Sequence, residues 1–464
     1  MTTTAFHTVL DELRLRLRGG LHEPGDAEYS DACTLFNSMI ERRPRYVARC
    51  GAPDDVIAAL AFARSQGLEV AVRAGGHSVT GASLCDDGLV LDVRAMNDVD
   101  VDPVGRVARV GAGCTWAELD RATQVHGLAT TGGRVSTTGV GGLTLGGGSG
   151  WLERKHGLAS DNLLAVEMVT AEGELVRASD AEHPDLFWAL RGGGGNYGVV
   201  TSLEFRLHPV GPEVLAGLLL HPAERGRELL TLFRDVTHDA PEELGLAFAY
   251  ITAPDEPGVP AELHGKPAVM VAGMYNGPIE EGERALRELR AFGPPAADFF
   301  EPVRYADFQS SIDDPPGYRN WWTAENLADL SDGAIDAIAA RSERLPAGPS
   351  QLFIVPWGGA IARVGADESP IAGRDTKFVV HPLMLWEGPA DDESMIAFGR
   401  AYRDDLAPYA SGSAYLNFIG DEGRERTRAG FAPGKLERLA RVKADWDPDD
   451  VFHANRYIRP RATA

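Results

Sequence analysis

Glycine density between Gly132 and Gly150 constrains this chain more than any other feature, because GGRVSTTGVGGLTLGGGSG holds nine glycines in nineteen residues. A second cluster, Arg191-Gly192-Gly193-Gly194-Gly195-Asn196-Tyr197-Gly198, follows the helix-like DLFWAL. Backbone without Cβ reaches positive φ and approaches a ligand closely, so its N–H groups can line a pyrophosphate or a planar ring. Tight turns or a flexible linker are the plainer alternatives. Val140, Leu143, Leu145 and Trp151 interrupt the longer run, which argues against a linker.

Two nucleotide-binding motifs are excluded. No GxxxxGK[ST] occurs, so a phosphate loop of that type is absent. Gly193, Gly195 and Gly198 satisfy GxGxxG in form, but a helix precedes them and a strand (VVTSLEFRL) follows. A dinucleotide fingerprint needs the reverse order, with the pyrophosphate on the following helix N-terminus. Neither HExxH nor GxSxG occurs in a suitable context, which leaves zinc and serine hydrolases without support.

Val72-Arg73-Ala74-Gly75-Gly76-His77-Ser78 is the sharpest local feature: an apolar strand ends in a double-glycine turn that presents a histidine. A single histidine is usually a satisfied polar group. Beside exposed backbone N–H groups, however, an imidazole suits both phosphate binding and bond formation to a cofactor.

Length and charge narrow the class. The 464 residues suggest two domains, and 68 acidic against 45 basic residues give a formal charge of -23. That field repels phosphate backbones and anionic lipid, so neither nucleic acid nor membrane is an expected partner. Cys33, Cys50, Cys85 and Cys114 are dispersed and read as reduced, mostly buried thiols; no metal site is expected. The N-terminus lacks the pattern of a secretory signal and no apolar run is long enough for a membrane span, so a cytoplasmic location is expected.

Periodicity predicts a helix over 53–66, a strand over 68–73, and a capping box Thr115–Glu118 opening a helix that runs to about Val125. Alternation predicts a half-buried strand around Leu203, Phe205 and Leu207. Beyond residue 212 glycine thins out. Helices are predicted over 223–237, 279–292, 331–344 and 392–406, with strands over 244–253, 266–275, 351–357 and 377–386. Tyr250, Tyr275, Trp321, Trp322, Trp357 and His381 lie on or beside these strands; they are either core or the lining of an aromatic pocket.

Taken together, RAGGHS, GVGGLTLGGGSGWLERKHGLASDNLL, DLFWALRGGGGNYGVVTSLEF, AYLNF and WDPDDVFHANRYIRP resemble FAD-linked oxidases with a vanillyl-alcohol-oxidase-type (PCMH-type) FAD domain. The likeness is to the berberine-bridge-enzyme-like branch and its bacterial members, and it covers nearly the whole length. It implies an α+β, two-domain fold: FAD-binding residues 1–211, a substrate domain over 212–411 with an antiparallel sheet flanked by helices, and 412–464 completing the FAD domain.

The resemblance further implies FAD bonded through its 8α-methyl carbon to His77. Many members carry a second linkage through a cysteine at the position of Val135, so attachment here is expected to be single. Arg73, Ala74, Gly75, Gly76, Ser78, Thr137, Thr138, Gly141, Gly142 and Gly147 are implied to hold the cofactor. Asp161, Asn162, Gly198 and Val200 would lie along it, and Asn417 and Asn455 would return toward it.

Sugar-oxidising members read Y-x-N-Y where this chain has Tyr415 to Phe418, and a phenyl ring cannot take a proton. Tyr415 and Asn417 remain as polar catalytic candidates, with a structural hydrogen bond as the other reading of Tyr415. Thr138 matches the residue that governs oxygen access and is nearly isosteric with the valine of oxidases. The implied activity is oxidation of a small aromatic or secondary-metabolite alcohol or amine by hydride transfer to flavin N5, with O2 as acceptor. The alternatives are a dehydrogenase with another acceptor, or a flavin-binding protein without turnover. A small-molecule substrate and a monomer or homodimer complete the expectations; Tyr250, Trp322, Trp357 and His381 are the substrate-pocket candidates.

Overall fold

The computed structural model describes residues 3–454 and 458–460. Local signals set the first helix of the first sheet. Pro53 opens Pro53–Gln66, Asp54 and Asp55 complement the helix dipole in its first turn, and Gly67 closes it at φ 63°. This helix carries the chain from strand Tyr46–Arg49 to strand Val70–Arg73, both of which pair in parallel with Leu89–Asp92. Leu21–His22 adds an antiparallel edge to the same four-stranded sheet.

A five-stranded antiparallel sheet follows, in the order Val99–Asp102, Val107–Gly111, Gly198–Arg206, Leu163–Thr170, Leu175–Ser179. Leu203 and Phe205 are buried while their neighbours are less so, as the alternation predicts. The capping box is formed: Thr115 N donates to Glu118 Oε2 at 2.7 Å and Glu118 N to Thr115 Oγ1 at 3.4 Å, and the helix Trp116–Gln124 begins there. A helix, Pro184–Leu190, precedes the second glycine cluster and a strand follows it. The longer glycine run contains a helical turn over Val140–Leu145.

The third sheet has nine strands, all antiparallel, and Glu213–Pro222, Pro267–Tyr275, Leu244–Thr252, Gln351–Pro356 and Phe378–Trp386 form its centre in that order. Strand side chains alternate between faces. Phe248, Tyr250, Val269, Val271, Leu352, Ile354 and Val380 share one face and pack with Leu229, Leu230 and Phe233 of helix Gly226–Asp239, Ile335 and Ile338 of Asp332–Ser342, and Tyr402 and Leu406 of Asp392–Leu406. The helix expected over 279–292 is divided into Ile279–Ala285 and Arg287–Arg290.

Residues 414–452 rejoin the N-terminal core. Ala414, Tyr415, Leu416, Ile419, Leu439 and Phe452 pack in the same buried cluster as Val56, Trp116, Phe187 and Phe205. Lys443, fully buried on helix Lys435–Trp446, pairs with Asp447 and donates to the carbonyls of Asn196 at 2.8 Å and Phe452 at 2.7 Å. The four cysteines are free thiols, and no helix among the described residues is long and apolar enough to cross a membrane.

Candidate active site

The Gly75-Gly76 turn and the start of the long glycine run meet backbone to backbone. A Cβ on Gly75 would fall 2.2 Å from Gly139 N, and one on Gly139 would fall 2.4 Å from Gly75 N, so no larger residue fits at this junction. Gly142 and Gly195 present the opposite case: a Cβ on either meets nothing within 4 Å, and both border a cavity of about 320 Å³. Bare backbone thus faces open space from both glycine clusters. Val70, Val72, Val93 and Ala112 also line it, and Leu416, Asn417, Phe418 and Phe452 arrive from the C-terminal segment.

His77 lies on this cavity. Its ring stacks on Phe36 with centroids 4.4 Å apart and planes 18° apart. The Thr137 hydroxyl stands 3.1 Å from Nε2 and the Thr138 hydroxyl 3.3 Å from Nδ1. Burial without an anionic partner pushes the His77 pKa down to about 4, so the imidazole is neutral and keeps a nucleophilic lone pair near neutral pH.

The second face of the nine-stranded sheet closes the opposite wall. Phe353 sits opposite both Ala249 and His381, Ala249 opposite Met270, and Leu383 opposite both Gln351 and Trp322. His381 is almost wholly buried, stacked on Phe418 at 4.3 Å with parallel planes and edge-on to Trp322 at 5.4 Å. Its Nδ1 lies 2.8 Å from the Thr323 carbonyl. A carbonyl only accepts, so Nδ1 carries the proton and Nε2 keeps the lone pair. Burial holds this imidazole neutral, with its pKa lowered to about 3. Asp314 also lines the cavity, receiving a hydrogen bond from Gln351 Nε2 at 3.1 Å.

The structure brings together on this cavity Ala74, Gly75, Gly76, His77, Ser78, Thr138, Gly141, Gly142, Gly198, Val200 and Asn417, with Trp322 and His381 from the sheet. Thr137 reaches it through His77. Several expected contacts are instead structural. Arg73 donates to the carbonyls of Asp31 and Thr34, at 2.9 and 2.8 Å, and lies outside the cavity wall. Asp161 forms an ion pair with Arg374 and accepts from Leu158 N, while Asn162 donates to the carbonyls of His156 and Leu158 and pairs with His208; neither lines the cavity. Gly147, at φ 126°, packs against Tyr415.

Tyr415 makes the structural hydrogen bond that was its other reading. It is 1% exposed, and its hydroxyl accepts from Gly148 N at 2.7 Å and Asn417 Nδ2 at 3.3 Å, so it braces the glycine run from behind. Tyr250 points to the helix side of the sheet, in register with Val269 and Leu352, and Tyr275 joins it there. Trp321 packs with Met384, Trp386 and Met395, and Trp357 lies in the N-terminal core against Tyr415. Asn455 lies outside the described residues. Asp314, Gln351, Phe353 and Met270 were not anticipated. Strict alternation in QLFIVPW would have put Gln351 and Phe353 on one face. Asp314 lies in a Pro-rich loop that periodicity cannot orient.

A cavity with two bare-backbone glycine walls, a neutral imidazole at its side and an apolar sheet opposite suits the phosphates and flat ring of a flavin nucleotide, and defines a flavoprotein oxidoreductase. Known proteins agree. A family profile described as an FAD binding domain matches residues 44–179, and one described as berberine and berberine like matches 414–459. The chain is 29% identical to (R)-6-hydroxynicotine oxidase of Paenarthrobacter nicotinovorans, across 97% of this chain and 98% of that one. It is equally identical to an FAD-linked oxidoreductase of Dictyostelium discoideum, across 97% of each. The crystal structure of 6-hydroxy-D-nicotine oxidase from Arthrobacter nicotinovorans superposes with a TM-score of 0.87 at 30% identity, covering 96% of this chain and 99% of that one. The chain belongs to the berberine-bridge-enzyme-like family of FAD-linked oxidoreductases.

Proposed function

We propose that this protein is an oxidase that carries FAD covalently on His77 and uses it to oxidise a small ring-bearing alcohol or amine, with dioxygen as the final acceptor. The observation that carries the reading is the His77 imidazole beside the glycine cradle, with a hydroxyl near each ring nitrogen. Bound FAD supplies a two-electron acceptor; the chain supplies position and electrostatics. The glycine backbones of 75–76, 139–142 and 192–195 would hold its phosphates and ring. Val135 stands on the cavity wall where a second, cysteinyl attachment would arise, and no cysteine lines the cavity among the described residues, which supports a single linkage.

On the substrate side, His381 is proposed to accept a hydrogen bond from the O–H or N–H of the group to be oxidised, since no described residue claims its Nε2 lone pair and the residue lines the cavity. Phe418 cannot take a proton itself and instead holds the imidazole plane by stacking. Trp322, Phe353 and Leu383 favour a substrate with a flat apolar part. The small Thr138 side chain on the cavity wall favours access of dioxygen, and the names of the relatives, which include oxidases of hydroxynicotine, support the same choice.

Intact mass of the purified protein tests the linkage: an increase equal to one FAD is expected, and His77→Ala should release its yellow colour on acid precipitation. A fully loaded sample with the bare polypeptide mass would overturn it. Peroxide formed per substrate consumed tests the acceptor, and a ratio near zero with rapid dye reduction would exclude the oxidase.

A further inference from the structure

The substrate end of the cavity is largely apolar or aromatic, yet it contains one carboxylate without a cation. Asp314 stands on the loop after helix Tyr305–Ser310, and Gln351 orients it from the adjacent strand through the 3.1 Å hydrogen bond. The charged group bearing on it is a second carboxylate, Asp313, and among the described residues no Lys, Arg or His pairs with Asp314.

Its neighbours are committed elsewhere. Asp313 accepts from both Ser136 N and Ser136 Oγ. Arg134, the guanidinium on the same cavity wall, pairs with the buried Glu153 at 2.7 Å and donates to Ser149 at 2.9 Å. His381 is neutral, with its proton directed to Thr323.

A carboxylate facing an apolar cavity is unfavourable until a cation or donor reaches it. Burial, with Asp313 adding to it, pushes the Asp314 pKa up to about 6 and so leaves the charged form dominant at neutral pH. Trp322 lines the same space, and an indole ring face attracts an ammonium group more than a neutral one. The formal charge of -23 also favours the approach of cations.

We propose that Asp314, oriented by Gln351, is a recognition site for a positively charged nitrogen, so that the substrate is an organic ammonium compound rather than a neutral alcohol. This rests on the flavin-oxidase reading and narrows it. The carboxylate anchors the cationic end of the molecule while the flat apolar part lies along the sheet face.

Calorimetric titration of the purified yellow enzyme at pH 8 with benzylamine, and with benzyl alcohol as the neutral counterpart, tests the site. A charge-assisted hydrogen bond corresponds to about a tenfold tighter Kd for benzylamine. Asp314→Asn is expected to remove about that factor for benzylamine and to leave benzyl alcohol within about twofold. Gln351→Leu keeps the charge but not its orientation and is expected to lose part of the preference, which provides a second variant if Asp314→Asn folds poorly. Equal affinity of the wild type for both probes, binding of neither, or an undiminished preference in a folded Asp314→Asn protein overturns the proposal. Absence of flavin from the wild-type spectrum would instead overturn the oxidase reading, while the calorimetry on that same protein still decides the role of the carboxylate.

Discussion

A Cβ placed on Gly142 meets no protein atom within 4 Å, whereas a single methyl on Gly75 collides with Gly139. The two glycines therefore serve different ends, and their variants should separate them. Gly142→Leu should raise the melting temperature of flavin-free protein slightly, since the helical turn loses a glycine cost of about 1 kcal/mol, yet reduce flavin content by absorbance. Gly75→Ala should lower both. Asp120 offers a stability test. It is buried on helix Trp116–Gln124, receives a hydrogen bond from Gln309 Nε2 at 3.0 Å, and has its pKa raised to about 7 by burial. The folded state thus holds this proton more tightly than the unfolded chain. Its contribution is full below the unfolded value near ~4 and is lost as pH rises to about 7, at a cost of roughly 2–4 kcal/mol. Asp120→Asn should remove that decline, so melting curves of variant and wild type should diverge more at pH 8 than at pH 5.

One step in strand register separates core from cavity, and that step explains what could be read in advance. Helix Pro53–Gln66 and the capping box at Thr115 were legible because their signals lie within a few residues of each other. The strands of the large sheet were legible as strands, but sheet faces were not assigned: both faces are covered, so hydrophobicity runs on without clear alternation in stretches such as Phe378–Trp386. Tyr250 and His381 looked alike as polar aromatics on strands, yet one joins the helices and the other the cavity. Asp161 and Tyr415 resemble ligand contacts in their motifs, and only the Arg374 ion pair and the Gly148 hydrogen bond reveal bracing roles. Parity gives a direct prediction. The Tyr250 hydroxyl is buried without a hydrogen-bond partner among the described residues, so Tyr250→Phe should leave melting temperature unchanged or slightly higher and kcat/KM unaltered. Phe353→Ala, across the sheet, should raise KM several-fold.

Across the whole molecule, three distant stretches of chain enclose one cavity, and Lys443 ties two of them together by pairing with Asp447 and donating to Asn196 within the second glycine cluster. Removing one member of a buried pair strands the other, at about 3–5 kcal/mol. Lys443→Ala should therefore lower the unfolding midpoint in urea by a corresponding amount and reduce flavin content, although position 443 lies outside the cavity wall.

That enclosure also has a temporal side. Leu416, Asn417, Phe418 and Phe452 form part of the wall, so the chamber is incomplete on a ribosome that has not yet released residues 416–452. Nascent chains arrested at residue 400 should therefore emerge colourless even in cells rich in riboflavin.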